Sequence, residues 1–88
     1  MLLELYDLSA NGGPTRRCRA CYLRPEVLEL VLGPASIDRV QQEWTWRRGP
    51  RVVRCQYGLR DYGPAESIAP AAVTRVMLDW LREGEVAP

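Results

Sequence analysis

Cys18-Arg-Ala-Cys21 sets two thiols at the spacing of a zinc knuckle or a redox pair, and Cys55 is the only other cysteine. A structural zinc site wants four ligands, usually from two such pairs. This chain has three thiols and no His, so an Asp or a cysteine from a second subunit would have to complete the site. Cys18, Cys21 and Cys55 are thus the metal ligands of an alternative reading, with zinc as its cofactor. The leading reading needs no cofactor. A redox pair would gain from the neighbouring Arg, which lower thiol pKa values. However, Arg24-Pro25 breaks the chain soon after the pair, where a thioredoxin-like helix should continue. The odd count fits free thiols in a reducing compartment better than a secreted disulfide scaffold. Small buried hydrophobes are the plain account of all three.

Other chemistry is sparse. Without His or Lys, no nucleophile can be paired with an ordinary general base near neutral pH. The paired carboxylates, Glu26/Glu29 and Glu83/Glu85, fall at helix ends, where capping and solvation explain them. Asn11-Gly12-Gly13-Pro14-Thr15 lacks the Lys and the spacing of a phosphate loop. The expectation is a protein that is not an enzyme.

Arginine supplies the remaining chemistry. All 12 basic residues are Arg against 11 acidic ones, yet the net charge of +1 hides strong segregation. Arg16, Arg17, Arg19 and Arg24 crowd residues 16–24, and Arg47, Arg48, Arg51, Arg54 and Arg60 crowd residues 47–60. Guanidinium forks bind carboxylate or phosphate bidentately and stack on rings. A solvated sheet face in a chain that uses Arg for Lys is the plain account of both clusters. Contact with phosphates or with an acidic patch on a protein is the functional one. Trp44, Trp46, Tyr57 and Tyr62 lie among the second cluster, and rings beside cations can stack single-stranded bases.

The elements that position these residues are marked by strong breaks. Asn11-Gly12-Gly13-Pro14, Gly33-Pro34, Gly49-Pro50 and Gly63-Pro64 divide the chain. Residues 2–8 read as a strand. Residues 16–23 return as a second strand, in preference to a helical turn or knuckle carrying Cys18 and Cys21. Pro25, Glu26 and Glu29 open a short helix whose Val27, Leu28, Val31 and Leu32 recur at helical spacing. With Gly49 and Pro50 at a turn, residues 39–60 fold as a hairpin pairing Val40 with Leu59, Gln42 with Tyr57, Trp44 with Cys55 and Trp46 with Val53. Those eight then face a core, away from Arg47 and Arg54, while Tyr62 stays free in an irregular connection over residues 61–69. Val73, Val76, Met77, Trp80 and Leu81 form the apolar stripe of a last helix starting near Pro70. Gly84 should stop that helix, leaving residues 84–88 as a frayed tail.

One domain over residues 1–88 follows from the length. The fold class is α+β: a small two-layer domain with an antiparallel sheet of three to four strands and two helices on one face, in ββαββα or βαββα order. So short a chain buries roughly 60–65% of its unfolded surface, which disfavours a deep active-site cavity. No apolar run approaches the about 18 residues of a membrane helix. Met1-Leu2-Leu3-Glu4 has no basic leader, so the expected location is cytoplasmic. The expected function is that of a stoichiometric regulator or inhibitor of a larger nucleic-acid-handling protein, bound through an Arg-rich sheet face. Its contact residues are Arg16, Arg17, Arg19, Arg47, Arg48, Arg51, Arg54, Arg60 and Tyr62. The size and lack of catalytic groups match, by analogy of scale, inhibitors of host defence encoded by phage or mobile elements, of anti-CRISPR or anti-restriction type. The alternative is a small nucleic-acid-binding module, zinc-stabilised through Cys18, Cys21 and Cys55. The expected partners are a protein in a nucleic-acid-handling complex or the nucleic acid itself, not a membrane.

Overall fold

The computed structural model describes residues 1–10, 12–20, 23–58 and 63–86. In chain order the elements are β1 (Leu2–Asp7), β2 (Arg16–Ala20), α1 (Pro25–Leu32), β3 (Ser36–Asp38), β4 (Glu43–Arg48), β5 (Arg51–Gln56), β6 (Glu66–Ile68) and α2 (Pro70–Val86). The strands form one sheet in the order β3-β4-β5-β1-β2-β6. All neighbours are antiparallel except β2 and β6. The class is α+β as expected, but the sheet is mixed and has six strands rather than three or four. The two extra strands, β3 and β6, are three residues each, too short to show an alternation in sequence.

The β4–β5 hairpin keeps the expected register, with Trp44 opposite Cys55 and Trp46 opposite Val53. Gly49 takes a φ of 57°, the sign a type II′ turn requires of its first central residue, and Pro50 then follows at its natural negative φ. The hairpin is shorter than expected. Residues 39–42 form a turn in which Asp38 Oδ1 accepts the backbone N–H groups of Val40 and Gln41, both at 3.1 Å. Val40 is 88% exposed and faces no core, and its expected partner Leu59 lies outside the described residues. The turn follows from the Asx motif: a side chain that satisfies two amides leaves no ladder to extend.

One face of the sheet meets both helices. Leu3, Leu5, Cys18, Trp46, Val53 and Cys55 from the strands pack with Leu28, Leu32, Val73, Met77 and Leu81 from the helices. In α1, Pro25 occupies the first turn and Glu26 follows at its positive end. Gly33 ends it at φ 86°, its N–H donating to Glu29 O at 2.9 Å. In α2, Val73, Met77 and Leu81 recur every four residues, so one buried stripe runs the length of the helix. Trp46, only 1% exposed, ties the layers together by donating Nε1–H to Gly33 O at 2.9 Å.

Gly84 does not stop α2, which continues to Val86, so the expected tail from residue 84 is helix as far as it is described. The glycine serves close packing instead. A Cβ there would overlap Arg51 Cγ and lie 3.0 Å from Arg51 Cβ and 3.5 Å from Arg48 O.

Candidate functional site

The sheet's second face carries no helix. Strand alternation brings residues from four strands onto it in rows set by the register. Arg19, Leu2, Gln56 and Glu43 form one row; Arg17, Glu4, Arg54 and Thr45 the next; Tyr6, Val52 and Arg47 the third. Adjacent rows repeat about every 7 Å along a strand, and neighbours within a row lie about 5 Å apart. Four Arg thus share a surface a few residues across with two acids, Glu4 and Glu43.

The middle row alternates in sign. Glu4, buried on the central strand, sits between Arg17 and Arg54 and pairs with Arg17 Nε at 3.2 Å. A buried carboxylate without a cation beside it would be strongly destabilising, so this pair fixes the centre of the face. The Arg54 guanidinium lies 5.1 Å from the Tyr6 ring centroid, within cation–π range. Burial, then the nearby Glu4 charge, raises the Tyr6 pKa above its ordinary value, so this phenol is protonated at neutral pH. Around this centre, Arg19 Nη2 donates to Gly63 O and Arg47 Nε to Gly49 O, both at 3.1 Å, and both Arg are exposed.

The expected contact residues therefore divide. Arg17, Arg19, Arg47 and Arg54 are gathered on the open face. Arg16, Arg48 and Arg51 lie on the helix-bearing side and are engaged within the molecule. Arg16 Nε bonds Glu66 Oε1 across the β2–β6 edge. Arg48 Nη2 donates to Leu32 O at 2.9 Å, and its Nε lies 3.8 Å from Glu85. Arg51 stacks on the Trp80 ring at 3.7 Å and pairs with Glu83 at 3.2 Å and Asp7 at 3.6 Å. Arg60 and Tyr62 lie outside the described residues. Trp44 and Tyr57 meet edge-to-face at 5.2 Å on the helix side with Trp46. Sequence reasoning omitted Glu4 and Tyr6 from the face. The signal was available: with Leu3 and Leu5 inward, residues 4 and 6 must point outward.

Cys18 and Cys55, two ligands of the alternative zinc reading, are not brought together. Cys18 and Cys55 are both buried on the helix side, but Leu3 stands between them in the sheet. Two strand spacings separate them by roughly 9–10 Å, whereas thiolates on one zinc lie within about 4 Å of each other. Cys21 lies outside the described residues, and those residues contain no cluster of three metal-ligating side chains. Cys18 Sγ donates to Glu66 Oε1 at 3.2 Å. Burial, then that carboxylate, pushes its thiol up to about 11; burial also raises Cys55. Protonated thiols are poor nucleophiles and poor ligands.

A groove of about 460 Å³ lies between α2 and the start of β2, with Leu5, Val76 and Trp80 as its floor. Two of the charges on its rim are already engaged, Arg16 by Glu66 and Glu83 by Arg51. Among the described residues no helix is long and apolar enough to cross a membrane. Comparison with protein-family models, with curated proteins and with solved structures finds no match to this chain.

Proposed function

We propose that the protein is a non-enzymatic, stoichiometric binding protein that works through its open sheet face, regulating or inhibiting a protein of a nucleic-acid-handling complex. The observation that supports this reading is the gathering of Arg17, Arg19, Arg47 and Arg54 around Tyr6 on the face that the helices leave bare. Arg and Tyr are the residue types that anchor protein interfaces, because each combines a large contact area with directed hydrogen bonding. The face also favours a protein over a nucleic acid. Glu4 and Glu43 break the positive field in which a phosphate backbone would lie. Tyr6 is the one ring on this face among the described residues, so base stacking has a single platform instead of a series. An alternating pattern of cations and acids suits the mixed charges of a protein surface.

The test is affinity capture from host lysate with and without nuclease, using the wild type and an Arg19→Glu/Arg47→Glu double variant. Both side chains are exposed and leave the core untouched. The expected result is a protein captured in stoichiometric amount, retained after nuclease and lost with the double variant. Recovery that vanishes with nuclease would replace the protein-directed reading with nucleic-acid binding. A partner retained by the double variant would remove the face from the mechanism.

A further inference from the structure

Six large hydrophobics are exposed among the described residues, and five of them, Val27, Leu30, Val31, Ile37 and Val40, fall between residues 27 and 40. In α1, Leu28 and Leu32 enter the core while Val27, Leu30 and Val31 are exposed. Apart from Glu26 and Glu29 the helix is apolar, so side chains beyond its core-facing pair remain available to a further contact. β3 follows directly, as the outermost strand, with all three residues exposed. Scaled by their exposures, the five residues together present roughly 500 Å² of surface.

The phase of the ladder fixes which backbone groups of β3 are free. Tyr57 N–H donates to Gln42 O at 3.1 Å, so alternate residues from Gln42 onward, Trp44 and Trp46, turn their amides toward β5. Glu43 and Thr45 therefore turn theirs toward β3, where Asp38 and Ser36 stand opposite. The N–H and C=O of Ile37 consequently point off the free edge.

We propose that this edge pairs antiparallel with the same edge of a second copy, about a twofold axis at Ile37, giving a symmetric dimer with one continuous sheet. The edge is self-complementary. Ile37 and Ile37 of the partner subunit would exchange two backbone hydrogen bonds as a directly opposed pair. Ser36 would face Asp38 of the partner subunit, so each carboxylate meets a hydroxyl rather than its own copy. The Asp38 carboxylate also stays committed to the turn at Val40 and Gln41, which keeps the edge short and straight. A twofold axis normal to the sheet leaves both α1 helices on one face, flanking the junction. The area available compares with about 800 Å² per partner in a standard interface, so the dimer should form and dissociate with concentration. The inference is independent of the reading given to the basic face.

Sedimentation velocity over a hundredfold range of concentration tests it. The wild-type mass should rise from 10.0 kDa toward about twice that value. Ile37→Pro should stay monomeric with unchanged far-ultraviolet circular dichroism, because the N–H it removes faces away from β4. Ile37→Asp should also stay monomeric, since it sets like charges opposite each other. Arg19→Glu/Arg47→Glu should dimerise like the wild type. A wild type that stays monomeric throughout would overturn the proposal. So would dimers that persist in either folded Ile37 variant, and if Ile37→Pro does not fold, Ile37→Asp alone decides.

Discussion

Arg51→Ala should destabilise the protein and Arg47→Ser should not, although both lie within two residues of the same Gly49-Pro50 turn. The Arg51 guanidinium stacks on Trp80 at 3.7 Å, a contact between desolvated groups in the range of about 0.5–2 kcal/mol. Its side chain is 18% exposed and pairs with Asp7 and with the more exposed Glu83. Such partly screened pairs contribute about 0.2–1 kcal/mol each. The sum is about 0.9–4 kcal/mol. At about 4–8 °C per kcal/mol for a domain of this size, the melting temperature should fall by about 4–32 °C. Arg47 is exposed and bonds only the Gly49 carbonyl, so Arg47→Ser should stay within about 0.5 kcal/mol of the wild type, or about 4 °C. Thermal unfolding followed by circular dichroism measures both. Arg51→Met should fall between them, keeping the stem against Trp80 while losing the charge. Added salt should narrow the gap between wild type and Arg51→Met but leave the gap between Arg51→Met and Arg51→Ala. Equal losses in Arg51→Ala and Arg47→Ser, or an Arg51→Ala melt within about 3 °C of the wild type, would refute the division of the cluster.

Three further outcomes are expected. Gly84→Ala should lower the urea midpoint despite a helix-propensity gain of about 1 kcal/mol, because the new methyl overlaps Arg51; in an Arg51→Ala background, where the Cγ overlap is gone and only the 3.0 Å contact with Cβ remains, the same change should lower it less. At pH 8, thiol alkylation read by peptide mass spectrometry should spare Cys18 and Cys55 until denaturant is added, since both thiols are buried and raised, Cys18 to about 11; labelling of either in native buffer would contradict this. The Asp7 carboxyl is held below its ordinary 3.8 by the Ser9 hydroxyl and amide, and the Glu66 carboxyl below its ordinary 4.5 by Arg16 and Cys18. Both groups are more acidic folded than unfolded, so their stabilisation is complete above those ordinary values and is lost as pH falls through the folded ones. The urea midpoint should drop below about pH 4, less steeply in Asp7→Asn and Glu66→Gln.

Much of this arrangement is legible in the residues. Gly49-Pro50 sets the hairpin register, and alternation then sends Trp44, Trp46 and Cys55 inward and Arg47 and Arg54 outward. The same period carried one residue further separates Arg48 and Arg51 from Arg47 and Arg54. Grouping them by proximity in sequence obscures that division, because a cluster along a strand is split between two faces. β6 is illegible for another reason. Its three residues gain their order from β2, about fifty positions away, through Arg16 and Cys18 on Glu66 rather than from any local preference. Gly84 has the composition of a stop signal, yet its role is set by Arg51, a residue on another element.

The order of strands also bears on how the chain reaches this state. β1–β2 and β3–β4–β5 are each built from chain neighbours, and each closes through a short turn or loop. The seam between them joins β1 to β5, where Asp7 meets Arg51 and Leu2 meets Gln56, at separations of 44 and 54 residues. Closing loops of that length costs entropy before any contact offsets it. Two local units should therefore form early and meet late, with the β1–β5 seam as the barrier. Destabilising changes at Leu3 or Val53, on that seam, should chiefly accelerate unfolding, whereas changes at the Gly49-Pro50 turn should chiefly slow folding.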